Sequence, residues 1–152
     1  MILNLLILLS AQPLWAGSHG LDGHLGTYFG SYFQRGDNLG GESIQFWLSL
    51  PPQGRVLLLH PSFGVCRGFD YGLTAQRGSI VIETEVTCDY LSPESAYSVG
   101  VELKVLQGPE AQSPRYVEGV QGEITFRLPD GEQIRANSSR NQLSLIKRGT
   151  WN

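Results

Sequence analysis

A chain of 152 residues with 41% hydrophobic and 16% charged side chains has the length and composition of one folded domain. The formal net charge of −3 is mixed along the chain with no basic stripe. That argues against a nucleic-acid partner, because phosphate binding needs clustered Lys and Arg to displace counterions.

Residues 2–9 are apolar except for Asn4, and Ser10, Ala11, Gln12 and Pro13 end the run. Leu14, Trp15 and Ala16 then place a small residue before Gly17 and Ser18. This order predicts a secretory signal peptide over residues 1–16, followed by a single exported domain over 17–152 that is periplasmic or secreted. No Lys or Arg precedes the run, which departs from the usual signal pattern. The run falls short of the ~20 apolar residues of a spanning helix, so no membrane span is expected in the mature chain.

Beyond that segment the recurring pattern is period-2 alternation, the signature of half-buried strands. Residues 24–33, with Gly26 and Gly30, read as a bent or bulged first strand; Tyr28 and Tyr32 share one face, Phe29 and Phe33 the other. Gln34 to Asn38 follow, containing an Arg-Gly-Asp tripeptide that is ordinary turn chemistry. In residues 42–50, Ile44, Phe46, Leu48 and Leu50 oppose Ser43, Gln45, Trp47 and Ser49, and Pro51-Pro52 ends the strand. Residues 56–59 are apolar throughout, as in the centre of a sheet.

Residues 79–90 put Ile80, Ile82, Thr84, Val86, Cys88 and Tyr90 on one side and Val81, Glu83, Glu85, Thr87 and Asp89 on the wet side. Residues 98–106 repeat the theme, with Val99, Val101, Leu103 and Val105 inward and Glu102 and Lys104 outward. Residues 109–114 read as a loop, and residues 123–128 set Ile124, Phe126 and Leu128 against Thr125 and Arg127. Asp130-Gly131 predicts a tight turn, and residues 133–137 and 142–147 supply the last strands. About eight short strands with frequent turns predict an all-β domain, an antiparallel β-barrel or β-sandwich. The start Gly26-Thr27-Tyr28-Phe29-Gly30 with meandering strands after it resembles calycin-type barrels; the resemblance covers one strand and a strand count and implies no site residue.

Cys66 and Cys88 are an even pair in a chain headed for an oxidising compartment, so a structural disulfide is expected between them. Metal ligation or a catalytic thiol is not expected, as neither cysteine has a CxxC spacing or a His nearby in sequence. His19 and His24 flank Asp22, but three convergent ligands are not evident. Glu83 and Glu85 stand about 7 Å apart on one strand face, which admits a glycoside hydrolase; a solvated sheet face is the plainer reading. There is no Ser-His-Asp order, Gly-x-Ser-x-Gly elbow or phosphate-binding glycine loop, so no enzyme and no cofactor is expected. Asn137-Ser138-Ser139 matches an N-glycosylation acceptor.

The aromatic residues carry the functional expectation. Trp47 projects from a face otherwise made of Ser and Gln, and Trp47 with Tyr28 or Tyr32 is expected to form part of a contact surface. The resulting reading is an exported, non-enzymatic binding module for a small ligand, a glycan or an envelope partner. The alternative is an envelope structural or interaction protein without a pocket.

Overall fold

The computed structural model describes residues 22–36, 40–52, 55–89, 96–106 and 118–148. The signal-peptide reading of residues 1–16, His19, Asp37, Asn38, Tyr90 and the 109–114 loop lie outside these residues. The strands are β1 (Gly26–Arg35), β2 (Gly41–Leu50), β3 (Val56–His60), β4 (Gly64–Gly68), β5 (Tyr71–Gln76), β6 (Ser79–Asp89), β7 (Ala96–Leu106), β8 (Glu118–Val120), β9 (Gly122–Arg127), β10 (Gln133–Asn137) and β11 (Leu143–Arg148). All belong to one curled antiparallel sheet, in the order β10-β9-β7-β6-β4-β3-β2-β1-β11-β8. β5 pairs with the part of the β6 edge that β4 leaves free. Gln121 alone separates β8, which pairs with β11, from β9, which pairs with β7, so one stretch of chain reaches both sides of the sheet.

The predicted alternation decides which face is buried. Ile44, Phe46, Leu48 and Leu50 of β2, Ile80, Ile82, Val86 and Cys88 of β6, and Val99, Val101, Leu103 and Val105 of β7 all pack in one core cluster. Apolar burial of this kind is worth roughly 25 cal/mol per Å² removed from water, and it holds the curl together. Cys66 and Cys88 sit directly opposite each other on β4 and β6 and are disulfide-bonded, with Cα atoms 3.9 Å apart and no exposure. The Asp130-Gly131 turn forms as predicted: Gly131 takes φ +90°, and the Leu128 N–H donates to the Glu132 carbonyl.

Several expectations are corrected. The first strand starts at Gly26, after a 3-10 turn over Asp22–His24, and pairs with β2 without a break from Gly26 to Arg35. No bulge is therefore present; Gly30 instead leaves room for the Phe46 ring, because a Cβ at Gly30 would lie 2.0 Å from Phe46 Cζ. Residues 56–59 lie between β2 and β4 but alternate, with Leu57 and Leu59 only half-buried on the outer face. Val81, expected on the wet side, is buried between Thr74 of β5 and Lys104 of β7. β4, β5 and β8 raise the count from about eight strands to eleven among the described residues.

The convex outer surface divides by charge. Its β6, β7 and β9 half carries Glu83, Glu85, Glu102, Lys104 and Arg127, with Arg127 paired to Glu102 and 4.0 Å from Glu83. Its β11, β1 and β2 half is uncharged at the centre and carries Arg148 and Arg35 at its ends. No helix among the described residues is long and apolar enough to cross a membrane.

Candidate functional site

The described inward side chains pack into one core. Tyr32, Phe46, His60, Phe63 and Phe126 form a buried aromatic cluster near the β3–β4 turn. His60 stacks on Phe63 at 3.9 Å between ring centroids, and its Nδ1 accepts the Ser62 backbone N–H at 3.1 Å. Nδ1 therefore carries no proton, and the neutral ring holds its proton on Nε2, which donates to the Tyr32 hydroxyl at 2.8 Å. Burial lowers the His60 pKa to about 4 and pushes that of Tyr32 up to about 12. No charged group is part of this cluster, so His60 stays neutral and structural near pH 7. Tyr28 lies at the opposite end of the interior, fully buried, with its hydroxyl donating to the His24 carbonyl at 2.5 Å.

Trp47 faces the other way. It is 41% exposed on the outer surface and lies directly opposite Phe29, with ring centroids 4.6 Å apart. Trp47 and the two tyrosines are thus brought to opposite faces of the sheet.

Pairing register places outward residues of β11, β1 and β2, with Gln142 just before β11, side by side. Ile146, Phe29 and Trp47 form one row, Ser144, Ser31 and Gln45 the next, and Phe33 and Ser43 a third, where Phe33 N–H donates to the Gln142 carbonyl. None of these nine side chains is charged. Phe33 is 53% exposed and its ring lies over Gly41, where a Cβ would meet it at 1.7 Å. Ser31, Ser43, Ser144 and Gln142 border an open depression of about 530 Å³ that extends to Gln121 and Asn141, and its lining contains no charged side chain. Among the described residues, the side chains of Ser31, Ser43, Gln45, Gln142 and Ser144 make no hydrogen bond to the protein, so their donors and acceptors are available. The guanidinium of Arg148 borders the face, 5.4 Å from the Phe29 ring centre.

No protein-family model, no curated protein and no solved structure matches this chain.

The remaining candidate groups are dispersed. Glu83 and Glu85 are exposed on the charged half, away from the depression beside Ser31 and Ser43 and from a second one lined by Phe33, Arg35, Glu132 and Arg135. His24 stands beside Lys147, and burial, followed by that positive charge, lowers its pKa. No cluster of three metal-ligating side chains occurs among the described residues. The Asn137 carboxamide caps the 3-10 turn Ser138–Arg140, accepting the Arg140 N–H at 3.0 Å and the Ser139 hydroxyl at 2.9 Å.

Sequence reasoning named Trp47 but left out Phe29, Phe33, Ser31 and Ser144 as site residues. That Phe29, Ser31 and Phe33 share one face of β1 is readable from the alternation, but not that this face is the outer one. Their adjacency is not readable either, because it depends on which strand lies beside which.

Proposed function

We propose that this chain is an exported, non-enzymatic binding module that holds its ligand on the outer face of β11, β1 and β2. The observation that carries the reading is that face itself: the exposed rings of Trp47 and Phe33 and the half-buried ring of Phe29 border polar side chains that have no partner among the described residues, while the interior is packed with side chains. In the same reading the β8–β9 segment closes the curled sheet as a barrel, whose interior is a core and not a ligand cavity. The buried disulfide supports an oxidising compartment, and the apolar run at residues 2–9 supports export.

Two measurements test this. Intact mass of the exported protein is expected to show loss of about 16 residues; a mature chain starting at Met1 overturns the export reading. In a Trp151→Phe background, Trp47 is the one tryptophan left after that cleavage. Its emission is expected to shift on binding, and Trp47→Ala is expected to weaken binding by the folded protein. Normal binding by a Trp47→Ala protein that melts early returns this ring to a structural role.

A second reading, an envelope interaction protein without a pocket, draws on one observation. The apolar row continues from Trp47 to Leu59 and Val65 across β3 and β4. A protein partner covering that row loses affinity on Val65→Glu, whereas a ligand confined to β11, β1 and β2 does not.

A further inference from the structure

We infer that the outer face of β11, β1 and β2 binds a neutral carbohydrate chain, lying along β1 from the Phe29–Trp47 pair to Phe33; this rests on the reading of that face as the binding surface.

Charge decides the class of ligand first. The nine side chains of the face are all uncharged, in a protein whose other convex half bears Glu83, Glu85, Glu102, Lys104 and Arg127. A phosphate, a sulfate or a uronic acid needs cationic donors, and the face supplies none at its centre. Charges stand only at its two borders, with Arg148 over Phe29 at one end and Arg35, two residues beyond Phe33 on β1, at the other.

The polar groups decide next. Serine hydroxyls and glutamine amides both donate and accept, as sugar hydroxyls do. Ser31, Ser144 and Gln45 form a row between the aromatic positions, with no bond to another described residue to break first. A purely apolar partner, whether a lipid surface or a hydrophobic helix, would cover these groups and leave them unsatisfied. A sugar ring, by contrast, has apolar C–H faces that stack on aromatic rings and hydroxyls at its edges that reach Ser and Gln.

Spacing decides the size. Phe29 and Phe33 are four residues apart on one strand, which sets their rings roughly 14 Å apart along β1. One sugar cannot touch both ends, so the ligand is an oligomer. The strands hold the platform rigid, which keeps the ordering cost of binding low.

The test uses the mature chain and a panel of soluble oligosaccharides: glucose oligomers with β-1,4 and with α-1,4 linkage, β-1,4-linked N-acetylglucosamine oligomers, and galacturonic acid oligomers as the anionic arm. Binding is read by Trp47 emission and by calorimetry. At least one neutral series is expected to bind, with affinity rising about tenfold or more from dimer to hexamer as both aromatic ends engage. Raising salt to about 0.5 M is expected to leave that affinity unchanged. Phe33→Ala is expected to weaken it about tenfold, an effect in the range of a lost stacking ring. Ser144→Val, an exposed change that keeps the strand, is expected to weaken it several-fold, while Glu83→Gln on the charged half leaves it unchanged. Urea midpoints measured on each variant separate lost binding from lost folding. A panel in which no neutral series binds overturns the carbohydrate assignment, as does binding of the anionic arm alone. If the panel is silent while a protein partner binds and is lost on Trp47→Ala, the binding face stands and its carbohydrate ligand does not. Binding of any kind that is indifferent to Phe33→Ala, Ser144→Val and Trp47→Ala overturns both.

Discussion

His60 donates its Nε2 proton to the Tyr32 hydroxyl at 2.8 Å, inside a ring cluster that contains no charge. A second proton on this imidazole would turn Nδ1 into a donor facing the Ser62 N–H. Burial therefore lowers the folded pKa to about 4 from 6.5, and the unfolded chain binds the proton more readily. The stability this brings is complete above the unfolded pKa and is lost as pH falls toward the folded one. Between about pH 7.5 and about pH 5 the wild-type protein is expected to lose roughly 2 kcal/mol more than His60→Gln in urea melts. Equal losses in the two proteins would show that His60 is not the group responsible.

Gly30→Ala is expected to destabilise the fold by about 1–3 kcal/mol, as overpacking does. The new Cβ would lie 2.0 Å from Phe46 Cζ, and that ring is only 4% exposed with little room to withdraw. Adding Phe46→Leu in the same chain is expected to cost less than the two changes summed, the coupling of neighbours in contact. A more stable Gly30→Ala protein would mean that the ring swings aside freely.

The Cys66–Cys88 bond closes a sequence separation of 22 residues. Its removal by Cys66→Ala with Cys88→Ala is expected to cost roughly 3 kcal/mol in the chain-entropy account. Non-reducing peptide mapping of the native protein is expected to recover the two cysteines in one linked pair. Two thiols that alkylate without reduction would contradict the bond.

Ile82→Asp is expected to cost several kcal/mol, because it buries an unpaired carboxylate between Leu73 and Leu103 on the neighbouring strands. Glu83→Lys is expected to stay within about 0.5 kcal/mol. Its side chain is 57% exposed and pairs in register with Glu102, so losing one of two facing carboxylates offsets the weaker contact with Arg127. Denaturant midpoints compare the two, and a larger loss from Glu83→Lys would reverse the assignment of faces.

The all-β class, the inward phase of β2, β6 and β7, the Asp130-Gly131 turn and the Cys66–Cys88 pair were legible in the sequence. Each rests on a short-range property: a side-chain period of two, a tolerated positive φ, an even cysteine count. β4 and β5 escaped that reading for equally local reasons. The inward positions of β4 are Gly64, Cys66 and Gly68, which give no apolar alternation, and β5 is largely exposed along a sheet edge.

Tyr28, Tyr32 and Trp47 mark the boundary between what the two levels decide. The alternation of β1 alone pairs Tyr28 with Tyr32 and Phe29 with Phe33, and that of β2 alone sets Trp47 among Ser43, Gln45 and Ser49. Relating the two strands requires knowing that Phe29, and not Tyr28, shares the outward phase with Trp47, and this follows only once they pair. A shift of one residue in that register would turn every side chain to the other face. Sequence by itself thus determined the two faces of each strand, because the pleat is built into consecutive residues. Tertiary structure alone decided that Phe29, Trp47, Phe33 and the serines of β1, β2 and β11 form one uncharged surface, because neighbouring strands meet through backbone hydrogen bonds that bear no trace of which side chains they bring together.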